Sequence, residues 1–144
     1  MYRKMENRDP LLTAHYIKRA DHFLQGMRLL ADDLSSYGSG VALLAVHSAI
    51  SLNDAILVAV TCKRNKSDNH QTAVLGLETA CNEGRVLDKN GINHFKWLIS
   101  KKSHIAYGGD RVGDQELKQS ITTAQRFAAW AYTHFKEVLR VEEA

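Results

Sequence analysis

Residues 41–62, VALLAVHSAISLNDAILVAVTC, decide the fold expected of this chain. A helix over this stretch is apolar on nearly every side, so it has no face for water. Such a helix is either the centre of a bundle or shared with a second subunit. Its polar residues His47, Ser51 and Asp54 recur at i, i+4 and i+7 and form one stripe. Because buried polar groups need partners, the stripe is expected to face a partner chain, a neighbouring helix or water.

Periodic apolar positions predict further helices on both sides of this stretch. Asp9 and Pro10 suit the start of a helix that continues to about residue 34, and SSYGSG at 35–40 is expected to break the chain. Helices are also expected over 70–81, from 88 or 90 to 107, and over 114–139. The prediction is an all-α, up-and-down bundle of about five helices joined by short loops. It forms a single domain over 1–144, with its core at about 9–140.

The composition agrees with long helices. One proline and nine glycines in 144 residues are too few for an all-β sandwich, which needs frequent turns. The 19 Lys and Arg against 16 Asp and Glu leave a net charge of +3, too mild to identify a nucleic-acid binder. Cys62 and Cys81 do not form a CxxC pair and are expected to be reduced thiols.

Secretion, membrane insertion and metal or cofactor chemistry are not expected. The N-terminal charges are not followed by the apolar run of a secretory signal, and His47, Asn53 and Asp54 argue against a membrane span, so a cytoplasmic protein is predicted. The sequence lacks Glu-x-x-His, HExxH, G-x-S-x-G and phosphate-loop motifs, so no metal or cofactor is expected. On the first helix, Arg19 lies on one stripe with His15 and His22, which suits an anion or an interface better than a cation.

The segment 98–112, LISKKSHIAYGGDRV, is the one candidate site that remains. It gathers basic and polar side chains at the end of one helix and in the loop after it: Lys101, Lys102, Ser103, His104, Tyr107 and Arg111. Lysine can hold a phosphate, and histidine can move a proton near neutral pH. The alternative is a solvated helix end, where cations complement the helix dipole.

The order of several stretches resembles the HEPN domains (higher eukaryotes and prokaryotes nucleotide-binding), in particular small stand-alone bacterial ones. The similarity spans about residues 11–139. The stretches are ALLAVHSAI at 42–50, NDAI at 53–56, NHQTAV at 69–74, KSHIAY at 102–107, DRV at 110–112 and AQRF at 124–127. The resemblance implies a helical bundle that pairs through a two-fold interface, with the polar stripe of 41–62 in the dimer.

Catalytic HEPN ribonucleases carry an arginine, four to six further residues and then a histidine, and two copies meet across the dimer to cleave RNA without metal. By this resemblance Lys102 takes the arginine position, Ser103 the polar position after it, and Tyr107 the histidine position. Both key residues differ, so the resemblance implies a degenerate site. On an ideal helix Lys102 and Tyr107 stand about 140° apart, and they converge only if the helix ends or bends there.

Three functions follow as expectations. The first is a dimer that binds RNA or a nucleotide, with Lys101, Lys102, Ser103 and Arg111 as phosphate ligands, in a toxin–antitoxin, defence or RNA-associated role. The second is an active metal-independent endoribonuclease that uses Lys102, His104 and Tyr107. The third is an interaction module that partners a nucleotidyltransferase or an antitoxin.

Overall fold

Helices make up the regular structure of residues 10–63, 69–107 and 112–140, which the computed structural model describes; no strand occurs within these ranges. The helices are α1 (Pro10–Leu30), α2 (Leu34–Thr61), α3 (His70–Glu83), α4 (Asn90–Ser100), α5 (Lys102–Tyr107) and α6 (Asp114–His134). A 3-10 turn, Ala31–Asp33, joins α1 to α2. The all-α prediction is confirmed, although six helices replace the expected five or so.

The first two helices form an antiparallel hairpin. Gly26 of α1 faces Leu44 of α2, and the ring of Phe23 lies 5.7 Å from that of His47, so the two helices pair in opposite directions. Asp33 caps α2, because its carboxylate accepts a hydrogen bond of 3.2 Å from the Ser36 N–H. Hydrogen bonds from Ser36 and Ser35 hold the pKa of the Asp33 carboxyl below its ordinary value.

The predicted break at residues 35–40 is wrong, since these residues form the first turns of α2. The cap at Asp33 lets the helix begin before the serines. Gly38 is there for close packing rather than for a turn: a Cβ at this position would lie 2.7 Å from Cδ1 of Leu117 on α6. The glycine therefore sets how near α2 and α6 approach.

Helix α2 is central to the chain itself. Of its 28 residues, 16 are buried, and α1, α3, α4, α5 and α6 all pack against it. Its half-exposed stripe contains Leu43, His47, Ile50 and Asp54. Of the predicted stripe, Ser51 is only 4% exposed and lies inside the bundle, while Ile50 lies on the half-exposed side with His47 and Asp54. Because packing within one chain accounts for the apolar pattern, the pattern alone no longer requires a second subunit.

By length and composition, the helical run Leu11–Thr61 holds one window apolar enough to cross a membrane, and 72% of that window is buried inside the molecule. Core helices and membrane spans pass the same compositional test. The burial is what a core helix shows.

The other helices pack in pairs around α2. Trp130 of α6 covers Gly91 of α4, and the rings of Phe95 and Phe127 lie 5.4 Å apart, so α4 and α6 are antiparallel. Helices α2 and α6 run in the same direction, because Gly38 meets Leu117 near both N-termini while later residues of both helices line a common small cavity. Strict up-and-down alternation would make these two helices antiparallel, so that order is only partly observed.

Two predicted boundaries also differ. The expected helix over 88 or 90 to 107 is interrupted at Lys101, which caps α4 and separates it from α5. The last helix ends at His134 rather than at residue 139. Beyond it the chain forms turns that still bury Phe135 and Leu139 in the core, which explains why the apolar period continues past the helix.

Candidate functional site

The predicted basic segment begins at the junction of α4 and α5. The N–H of Lys101 donates to the Leu98 carbonyl at 3.1 Å and ends α4. Helix α5 starts at the next residue and is anchored by Ile105, which packs on a small buried cluster of Ala42, Val112 and Leu117. This cluster fixes α5 against the first half of α2.

One side of the junction faces α6. Lys101 Nζ and His104 Nε2 each lie 3.9 Å from Oε1 of Glu116, and Lys101 also lies 5.4 Å from the ring centre of Trp97. The Glu116 Oε1 atom is buried and has no hydrogen-bond partner among the described residues. Lys101, at the α4–α5 junction, and His104, on α5, therefore contact the first turn of α6.

The other side of the junction faces α2. Lys102 lies close enough to His47 that its positive charge helps to lower the pKa of that imidazole. Burial is the larger cause of the lowered pKa, and Arg19 of α1 is a third. His47 is therefore neutral at neutral pH. The structure thus brings together His47 and Lys102, which the sequence presented as parts of two separate features.

An aromatic ring joins Arg19 to His47. The Cζ atom of Arg19 lies 5.5 Å from the ring centre of Phe23, and the rings of Phe23 and His47 lie 5.7 Å apart at 49°. Arg19 is exposed, while the other three side chains are half-buried. We call Arg19, Phe23, His47 and Lys102 the basic cluster; it is assembled from α1, α2 and α5.

The basic cluster lacks acidic neutralisation within the described part of the chain. There, no carboxylate lies within 4.0 Å of the charged nitrogens of Arg19 or Lys102, whereas Lys101, His104 and His134 each have one within that distance. Two fixed cations and a neutral imidazole are suited to bind an anion, and phosphate is an anion that both lysine and arginine bind.

The remaining predicted residues are placed as follows. Ser103 is exposed on α5. Tyr107 is the last residue of α5, but its side chain and all of Arg111 lie outside the described residues. Helix α5 is unbroken from Lys102 to Tyr107, and the interruption comes before it at Lys101. Positions 102 and 107 therefore stay about 140° apart on one helix, and the condition for their convergence within a chain is not met.

Sequence reasoning missed Phe23 as a member of the site and gave no link between Arg19 and Lys102. The available signal was the spacing of Arg19 and Phe23 at i and i+4 on α1, which places a cation next to a ring. The approach of α5 to the α1–α2 hairpin is a tertiary contact that periodicity does not encode.

A second concave feature lies between α3 and α4. This groove of about 420 Å³ has a mostly apolar surface, to which Val74, Leu75 and Ile99 contribute, although five of its eight lining residues are polar, among them Glu78 on α3 and Lys96 on α4. Leu75 is 60% exposed, which is unusual for a large apolar side chain at a groove.

No protein-family model matches the chain, and no curated protein matches it.

Proposed function

We propose that the chain binds RNA or a nucleotide through phosphate groups held at the basic cluster. The observation that carries this proposal is the meeting of Arg19, His47 and Lys102 from three helices, with neither Arg19 nor Lys102 in an ion pair within the described residues. A solvated helix end would need only the cations of its own last turn. Here α1 and α2 add groups that such an end would not require.

The resemblance to HEPN domains supports the proposal independently of the cluster. The structure is all-α, as the resemblance implies, and the resembling stretches include the segment that contains Lys102. We propose that this is a cytoplasmic, HEPN-type protein that pairs through a two-fold axis and acts in a toxin–antitoxin, defence or RNA-associated role. Light scattering tests the pairing: a dimer has twice the 16.2 kDa of one chain, and a 16.2 kDa species at micromolar concentration would contradict it.

The geometry favours binding over catalysis. His104 faces Glu116 of α6, and Lys102, two residues earlier on α5, points about 160° away from it on the helix. A phosphate bound by Lys102 therefore does not also lie beside His104 of the same chain. Efficient general acid–base catalysis needs the proton-transfer group within hydrogen-bond reach of the reacting atom.

Fluorescence anisotropy with a labelled RNA oligonucleotide tests the proposal. Lys102→Ala is expected to weaken binding by roughly threefold to tenfold and to reduce the salt slope by about 0.7, the value for one phosphate contact with a single strand. Lys136→Ala is the matched control, because Lys136 is exposed beyond the far end of α6, about 30 Å from the Glu116 end by helix length. Equal affinities and salt slopes for the two variants would overturn the proposal.

A second candidate function is an interaction module, and the groove between α3 and α4 favours it. The exposed Leu75 and the apolar walls suit a protein surface rather than a phosphate. If a nucleotidyltransferase or antitoxin encoded beside this gene is the partner, Leu75→Glu should abolish co-elution of the two purified proteins. RNA affinity should not change in that variant, which separates the two functions.

A further inference from the structure

Arg19 is held in a manner that a purely electrostatic phosphate site does not need. Its guanidinium lies over the ring of Phe23 with 5.5 Å between Cζ and the ring centre, yet the residue as a whole is exposed. The ring therefore supports the guanidinium from one side, while the exposed residue leaves the group accessible to solvent. The His47 ring packs beside Phe23, with 5.7 Å between the two ring centres.

A supported, open guanidinium plane is a surface for stacking. Unpaired bases of RNA stack on aromatic rings and on arginine planes, whereas bases inside a duplex are already stacked on one another. Lysine would neutralise a phosphate equally well at this position without any ring beneath it. The combination of a planar cation, an aromatic support and a neighbouring lysine is typical of surfaces that bind single strands.

We propose that Arg19 is a base-stacking residue and that the ligand is single-stranded RNA. An unpaired base stacks on the exposed Arg19 guanidinium, and a neighbouring phosphate is held by Lys102 of α5, the helix that packs against α2. This inference rests on the proposed function, since it names the ligand of the same cluster. It makes Phe23 a positioning residue, which acts by keeping the guanidinium plane in place.

The central experiment separates the effect of the positive charge at position 19 from the effect of the planar shape of the guanidinium. Arg19→Lys keeps the positive charge but removes the plane, and Phe23→Leu keeps an apolar side chain but removes the ring that supports it. Lys18→Ala is the control, because Lys18 is an exposed neighbour on another side of α1. The probes are a single-stranded RNA, the same sequence in a duplex, and inorganic polyphosphate, each measured at one fixed salt concentration.

We expect Arg19→Lys to weaken binding of the single strand by about tenfold, with little change for polyphosphate. Phe23→Leu should produce the same pattern with a smaller loss. A 2-aminopurine placed in the single strand should lose fluorescence on binding the original protein and keep it on binding Arg19→Lys. Circular dichroism melting checks that each variant is folded.

The outcomes distinguish the two proposals. If Arg19→Lys binds the single strand as tightly as the original protein, or if duplex and single strand bind equally, the stacking inference is wrong while phosphate binding stands. If Lys102→Ala leaves the binding of every probe unchanged, the proposed function itself fails.

Discussion

Of the three places in the described part of the molecule where a histidine lies beside an aromatic ring, those at His134 and His47 differ in their surroundings. Near the end of α6, His134 Nε2 lies 3.3 Å from Oδ2 of Asp88. The Trp130 indole N–H donates to the carbonyl of the same aspartate at 2.9 Å. In the basic cluster, His47 lies beside Phe23, and the nearby charges that act on it are the cations Lys102 and Arg19.

The difference separates a structural arrangement from one available to a ligand. At the α4–α6 end, the Asp88 carboxylate contacts the His134 imidazole, and the Trp130 indole lies beside that imidazole and donates to the Asp88 carbonyl. Trp130 is buried over Gly91. In the basic cluster, neither Arg19 nor Lys102 forms an ion pair with a carboxylate of the described residues. We therefore expect changes at the first place to alter stability and changes at the second to alter binding.

The largest effect is expected for Gly91→Ala. A Cβ at this position would lie 1.9 Å from a ring carbon of Trp130, so α4 or the indole must move. We expect a loss of about 3 kcal/mol or more in the free energy of unfolding, measured by urea titration. Gly40→Ala is the control, since nothing lies within 4 Å of a Cβ there and the helix should gain roughly 0.5–1 kcal/mol. A similar small gain in both variants would contradict this close approach of α4 to α6.

Trp130→Phe should also lower the free energy of unfolding, but by less than Gly91→Ala. It keeps a ring against Phe127 but removes the hydrogen bond to the Asp88 carbonyl and part of the buried volume. A loss of about 1–2 kcal/mol is expected in the same titration. RNA affinity should stay unchanged, and a change in affinity would show that the two places are coupled.

At the basic cluster we expect a dependence on pH. Burial, Lys102 and Arg19 lower the pKa of His47, so this imidazole is neutral at about pH 7.5 and becomes charged only below its ordinary range. Protonation then adds a positive charge to the site. Affinity for single-stranded RNA should rise by up to about fivefold, roughly the value of one surface charge contact, as the pH falls below the ordinary histidine pKa of about 6.5.

His47→Asn should flatten that pH profile while binding at about pH 7.5 changes little. The free energy of unfolding should fall with decreasing pH, whereas the RNA affinity should rise. Because the pKa of His47 is lower in the folded chain than in the unfolded one, its contribution to stability is complete above the unfolded pKa of about 6.5 and is lost as the pH falls from there through the lower pKa of the folded chain. An RNA affinity that falls on acidification would contradict the assignment of His47 to the binding site.

The smallest effect is expected for Asp88→Asn. The substitution removes the charge beside His134 but keeps an oxygen that can accept the Asn90 N–H, now bonded at 2.9 Å. The ion pair is partly exposed, so thermal melting should report a loss of at most about 0.5–1 kcal/mol. A larger loss would mean that the pair contributes more than its exposure allows.

The sequence predicted the helical class, because hydrophobic period and length are local signals, but it left open whether α2 is central to the bundle or shared with a second subunit. It failed at residues 35–40, where serine and glycine suggested a loop. The Asp33 cap and the close approach of Gly38 to Leu117 are what make this segment helical. Lys101 was not expected to divide a helix, since the residues on both sides continue an apolar period.

The site was predicted in part. Lys102 and His47 were both singled out, but their proximity depends on how α5 lies on α2, and no spacing rule contains that contact. Lys101 and His104 were grouped with Lys102 because they are adjacent in sequence. On the helices they face Glu116, since successive residues of a helix point about 100° apart.

The anchoring of α5 has a consequence for measured affinities. Arg19, Phe23 and His47 belong to the α1–α2 hairpin, whereas Lys102 is carried by a six-residue helix that packs through Ile105 on three buried residues. A helix of that length is not stable alone, so it opens at a lower free energy than the bundle. The observed dissociation constant is then the intrinsic one divided by the fraction of molecules in which α5 is docked. Native-state hydrogen exchange at the amides of α5 would report that fraction directly.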